Sequence, residues 1–98
     1  MIIFKDLVFK SRFRGGIGAT HTFENGLEIS VQGSEMNYCT PREDLEFDAD
    51  YSSFEVAVFG KDGDFITKNY IKNHDQDVMG WMDRADISIL MIKIQFDK

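Results

Sequence analysis

The clearest pattern along the chain lies at residues 27–32, where Leu27, Ile29 and Val31 alternate with Glu28, Ser30 and Gln32. A period of two marks a half-buried strand. It is preceded by Phe23-Glu24-Asn25-Gly26, and the length of that turn decides the register. A two-residue Asn-Gly loop would pair Phe23 with Glu28 and place a ring on the polar face. A three-residue loop, with Gly26 in the left-handed region, pairs Phe23 with Leu27, His21 with Ile29 and Ala19 with Val31. The second choice separates an apolar face from a polar one, and predicts a hairpin over 19–32.

Residues 2–10 read as a strand with Ile3, Leu7 and Phe9 on one face and Ile2, Phe4 and Val8 on the other. Residues 11–18, with Gly15, Gly16 and Gly18, read as a flexible loop. Residues 33–53 are irregular and contain the single proline, Pro41. A strand follows at 54–59 with Phe54, Val56 and Val58 inward. Its other face carries Ala57 and Phe59, so that face too is expected to be partly covered. Lys61-Asp62-Gly63 is read as turning the chain into a fifth strand at about 64–71. Residues 77–81 read as one helical turn ending at Gly80, with Val78 and Trp81 plugging the junction between sheet and helix. The period then changes to that of a helix over 83–96. Asp83 is the N-cap, Asp86 sits favourably in the first turn, and Ile87, Leu90, Met91 and Ile94 form one buried stripe. The fold class is therefore α+β: one domain, 1–98, with an N-terminal antiparallel sheet of about five strands, a meander of hairpins, and a C-terminal helix packed on one face. That stripe is expected to pack on the sheet face holding Phe23, Leu27, Ile29 and Val31.

Composition sharpens this picture in three ways. With 98 residues and 43% hydrophobic side chains there is material for one core and no reason to expect disorder. Nine Phe, three Tyr and one Trp exceed what so small a core hides, so aromatic area is expected on a surface that meets a partner or a second copy of the chain. Phe4, Phe9, Phe13 and Phe59 are the candidates for a homodimer contact. The single cysteine, Cys39, excludes an intrachain disulfide and fits a reducing compartment. The apolar run at the N-terminus is broken by Lys5 and Asp6, too early for a signal peptide or a membrane span, so a cytoplasmic protein is expected.

The net charge of −6 argues against direct nucleic-acid binding. The charge is segregated: Lys5, Lys10, Arg12 and Arg14 near the start, and a block of acids from Glu43 to Asp64. Within that block Glu43, Asp44, Glu46, Asp48 and Asp50 alternate with Leu45 and Phe47 and end on Tyr51. Apolar anchors among charges are what an interface core within a polar rim requires. These eight residues are the candidate partner-binding surface, a mimic of nucleic-acid phosphates that would compete for a basic partner, weighed against a plain solvated loop, which is the commoner meaning of such a run. Arg12, Arg14 and Trp81 form a second candidate surface.

Other chemistry is thinner. Gly15, Gly16 and Gly18 suggest a phosphate loop, but they lead into a strand where a dinucleotide fingerprint needs a helix. Cys39, His21, His74, Asp75 and Asp77 have no compact metal-ligand spacing, and no cofactor or metal is expected. The acidic run lacks the central Gly of an EF-type calcium loop. No nucleophile–base pairing is legible, so no catalytic residue is named.

Several short motifs recur together and in order elsewhere: Phe4-Lys5-Asp6-Leu7, Phe23-Glu24-Asn25-Gly26 with Ser30-Val31, Phe54-Glu55-Val56-Ala57-Val58, and Asp77-Val78-Met79-Gly80-Trp81 before a helix closing on Lys93-Ile94-Gln95. In these the chain resembles a group of small bacteriophage-encoded accessory proteins. It departs from them at Leu27-Glu28-Ile29 and at Asn73-His74-Asp75. The resemblance implies a phage accessory protein made in a bacterial cytoplasm, and it carries over no functional residues. The favoured expectation is a non-enzymatic protein that binds and inhibits a host macromolecule through its acidic and aromatic surface, with a basic, nucleic-acid-binding host protein as the candidate partner. The alternatives are a self-associating virion or structural component and a small-ligand binder using the Gly15–Gly18 loop.

Overall fold

The structure is a computed structural model and describes residues 1–97. The strands are β1 (Lys10–Ser11), β2 (Ile17–Thr22), β3 (Glu28–Gly33), β4 (Phe54–Phe59) and β5 (Met79–Met82), followed by helix α1 (Arg84–Gln95). They form one antiparallel sheet in the sequential order β1-β2-β3-β4-β5. The chain is thus α+β, an N-terminal sheet with a C-terminal helix. No helix among the described residues is long and apolar enough to cross a membrane.

The β2–β3 hairpin has the register that its hydrophobic alternation demands. His21 faces Ile29 and Ala19 faces Val31, and the Phe23 amide donates to the Leu27 carbonyl at 2.8 Å. Gly26 takes φ of 87°, the left-handed position of the three-residue loop. Asn25 has a further role. Its Oδ1 accepts from Leu27 N, while its Nδ2 donates to the carbonyls of Ile94 and Asp97 at 2.8 and 2.9 Å. The turn thereby adds a side-chain donor to carbonyls at and just past the C-terminus of α1, where helical partners run out.

Phe54, Val56 and Val58 of β4 are wholly buried, as are Ile29 and Val31 of β3. Against them α1 lays Ile87, Leu90, Met91 and Ile94, in one cluster with Phe23. Asp83 caps the helix, its carboxylate accepting from Asp86 N at 2.8 Å. On the other face of β4 Ala57 is buried and Phe59 is half-covered by Phe65, with ring centroids 4.7 Å apart.

Several of these expectations fail. Residues 2–10 are not a strand: Phe4–Asp6 form a 3-10 turn, and only Lys10–Ser11 join the sheet. The polar groups of this segment find partners on the helix. Gln95 donates to Ile2 O at 2.6 Å and accepts from Ile2 N at 2.8 Å, and Ser88 Oγ accepts from Phe4 N. Apolar residues on both faces marked a segment wedged between helix and sheet edge. There the Phe4 ring packs on Phe9 and Phe54 at 5.6 and 5.3 Å.

Residues 64–71 are not the fifth strand either. The turn at 61–63 forms, but beyond it Phe65 makes a lone bridge to Phe59, and Thr67–Asn69 is a 3-10 turn. The buried Thr67 hydroxyl accepts from Val58 N and donates to Asp77 O, at 2.9 and 2.6 Å, so a side chain completes that stretch of the β4 edge. The rest of the edge is taken by β5, residues 79–82, where the sequence pattern predicts a helical turn over 77–81. Trp81 does not plug the junction; it is 59% exposed, and Met82 fills the inward position.

Candidate functional site

The acidic segment is folded, with Asp48–Asp50 in a 3-10 turn, and it is held from below at both ends. Tyr51, although counted among the partner-facing residues, is 1% exposed. Its hydroxyl accepts from Leu45 N at 2.9 Å and donates to Glu43 O at 2.5 Å, which fixes the first half of the segment. Burial raises the Tyr51 pKa above its ordinary value, against the lowering effect of the bond from Leu45, so the hydroxyl keeps its proton. The second half is fixed by Arg84, which donates to Asp48 O at 2.5 Å while its guanidinium lies over the rings of Phe4 and Phe54. Leu45 is half-buried against the core, whereas Glu43, Glu46 and Asp50 are exposed around Phe47, itself 64% exposed. Of the eight residues, then, Tyr51 and Leu45 are supports, and the presented group is Phe47 within a carboxylate rim.

Asp44 turns aside from that rim. Its carboxylate accepts from Glu35 N at 2.9 Å and lies directly against Gly15, so the acidic segment and the glycine-bearing β1–β2 turn meet. In that turn Arg12 N donates to Gly16 O, and Gly15 and Gly16 have φ of 106° and 75°. The glycines close a hairpin into β2, and no helix N-terminus follows them. Phe13 at the tip is fully exposed and Arg14 is exposed beside it. Arg12 is not a free cation: Nη1 donates to Asn37 Oδ1 at 2.6 Å, within a network in which Asn37 Nδ2 donates to Glu55 Oε2 at 2.8 Å and Ser34 Oγ to Asn37 Oδ1.

The same network carries an aromatic pair that the sequence did not reveal. Glu55 Oε1 accepts from Tyr38 N, and the Tyr38 ring lies 5.3 Å from that of Trp81, with Arg42 over its face at 5.2 Å. Trp81 sits on a bulge, since three steps on β5 from Met79 to Met82 oppose two on β4. It takes φ of 53°, a region that L residues with large side chains rarely occupy. Gly80 is needed beside it, because a Cβ there would lie 2.6 Å from Tyr38 Cβ. The bulge aims the indole outward, beside a cavity of about 340 Å³ that His74, Val78 and Met79 also line. Of Arg12, Arg14 and Trp81, Arg12 is tied through Asn37 and Glu55 into the network that holds Tyr38, the ring neighbour of Trp81, while Arg14 is exposed at the tip of the hairpin. The only signal of the Trp81 conformation in the sequence is a glycine immediately before a tryptophan.

The remaining candidates are structural. Cys39 is buried, with Sγ at 3.2 Å from Ser34 O, and burial raises its thiol pKa, which makes it a poor nucleophile. His21 is half-buried and edge-on to Phe23 at 4.8 Å, and His74 bonds through Nε2 to Val78 O. No group of three His, Cys, Asp or Glu side chains converges as a metal site among the described residues. Comparison with protein-family models, with curated proteins and with solved structures finds no match to this chain.

Proposed function

We propose that the protein is a non-enzymatic binding module that docks a basic region of a bacterial host protein through residues 43–50. One observation carries this reading: Phe47, 64% exposed, stands in an exposed carboxylate rim on a segment pinned by the Tyr51 hydroxyl and by Arg84. A pinned loop loses little conformational freedom on binding, and a central apolar anchor within a charged rim is how interfaces concentrate their energy. The net charge of −6 favours a basic partner by long-range attraction. The resemblance to small phage accessory proteins supports a host protein as that partner, and inhibition as the outcome of covering its basic surface.

The test is capture from bacterial lysate followed by kinetics on the recovered partner. A Glu43→Gln, Glu46→Gln, Asp50→Asn variant should associate more slowly, with a weaker salt dependence, because these charges act at long range. Phe47→Ala should chiefly speed dissociation. Neither variant removes a group that pins the segment. Unchanged capture by both at low salt would dismiss residues 43–50 as the docking surface.

A further inference from the structure

Helix α1 is apolar on two sides. Its inner stripe, Ile87, Leu90, Met91 and Ile94, belongs to the core. The side turned away from the sheet carries Ala85, Asp86, Ile89, Ile92 and Lys93, and is continued by Phe96 just past the helix end. Ile89 is 54% exposed and Phe96 68% exposed. The outer face of a surface helix is ordinarily polar, and one that is apolar all round is ordinarily covered all round. Among the described residues Ala85, Asp86, Ile89, Lys93 and Phe96 are exposed on this face, and Ile92 is half-buried. Along one flank, Asp86, Ile89 and Lys93 border a groove of about 280 Å³ whose far wall includes Trp81 and Lys72.

The order of residues on this face identifies what covers it. Asp86 and Lys93 stand two turns apart, about 10 Å along the axis, with the apolar residues between and beyond them. Reversing the helix about a point near residue 90 exchanges the two charges, sets Ile89 opposite Ile92, and sets small Ala85 opposite large Phe96. The face is therefore complementary to its own reverse in charge and in size. Self-complementarity of this kind is the requirement of an isologous two-fold contact.

We propose that two copies of this protein associate about a two-fold axis, α1 packing antiparallel on α1, with Asp86 of each opposite Lys93 of the other. This contact uses none of Phe4, Phe9, Phe13 and Phe59. Phe4 is buried, Phe9 and Phe59 are half-buried, and Phe13 lies at the distant β1–β2 tip. It is also independent of residues 43–50, so it stands or falls separately from the docking surface.

The experiment is sedimentation equilibrium on the full chain and on two charge variants, Asp86→Lys and Lys93→Asp. Wild type should sediment with twice the chain mass. Each variant alone places like charges opposite one another in both copies of the contact and should associate on the order of tenfold more weakly or worse. An equimolar mixture of the two variants should regain the dimer, because every facing pair is then of opposite sign. Ile89→Asp should give a monomer with unchanged far-ultraviolet circular dichroism, since Ile89 takes no part in the core. A wild type that remains monomeric to its solubility limit would overturn the proposal. So would single variants that dimerise as tightly as wild type, or a mixture that fails to recover.

Discussion

At the residue scale, Trp81 holds a costly backbone conformation. Its φ of 53° places Cβ close to the following carbonyl, a strain of about 1–2 kcal/mol that glycine would avoid. The Tyr38 contact and the bulge hold it there against that cost. Trp81→Gly and Trp81→Ala both delete the indole, but only the alanine retains the strain. The glycine variant should be the more stable of the two by about 1 kcal/mol in denaturant unfolding. Tyr70 offers a pH-dependent case. Burial and its hydrogen bond to Asp97 raise its pKa from 10.0 to about 12. The folded state thus holds the phenol proton more tightly than the unfolded chain does. The stability this contributes is complete below pH 10 and is lost as pH rises through the folded value near 12. The advantage of wild type over Tyr70→Phe should stay constant up to pH 10 and shrink above it, as read from denaturant midpoints along a pH series.

At the scale of elements, the helix-on-sheet layer supplies most of the core. Leu90 lies in it at 3% exposure, and Leu90→Ala should cost about 2–5 kcal/mol, seen as a large fall in the denaturant midpoint. This layer was legible in the sequence because its signals are local. The alternation at 27–32, the Asn25-Gly26 turn, the inward residues of β4 and the stripe after Asp83 each span fewer than four turns or one hairpin. What was not legible depended on distant residues. The segment 2–7 is shaped by Gln95 and Ser88, more than eighty positions away. Residues 64–71 are not a strand because the Thr67 hydroxyl, and not a run of backbone groups, meets β4, and β5 is four residues with a bulge, too short and irregular to show alternation. The candidate site divides in the same way. The density of acids around Phe47 is plain in the sequence. That Tyr51 is a support beneath them, and that Arg84 reaches Asp48 from the helix, follows only from the tertiary arrangement.

Across the whole molecule, strand order equals chain order, so each pairing in the sheet joins neighbours in sequence. The lock between Ile2 and Gln95, which exchange a pair of hydrogen bonds, instead joins residues 93 positions apart. Stability should grade accordingly. In native-state hydrogen exchange, the Ile2 and Phe4 amides should open at lower free energy than those of Ile29, Val31 and Val56. During synthesis the asymmetry becomes one of time. The segment 2–7 leaves the ribosome well before its partners Ser88 and Gln95 on α1, at about 5–20 residues per second. For the several seconds between, Ile2, Phe4 and Leu7 travel as an uncovered apolar leader while the hairpins behind them can already close. The segment 2–7 is therefore made before the hairpins that follow it and buried after them. It is the stretch through which a nascent copy is most open to capture by a chaperone or to aggregation with its neighbours on the same message.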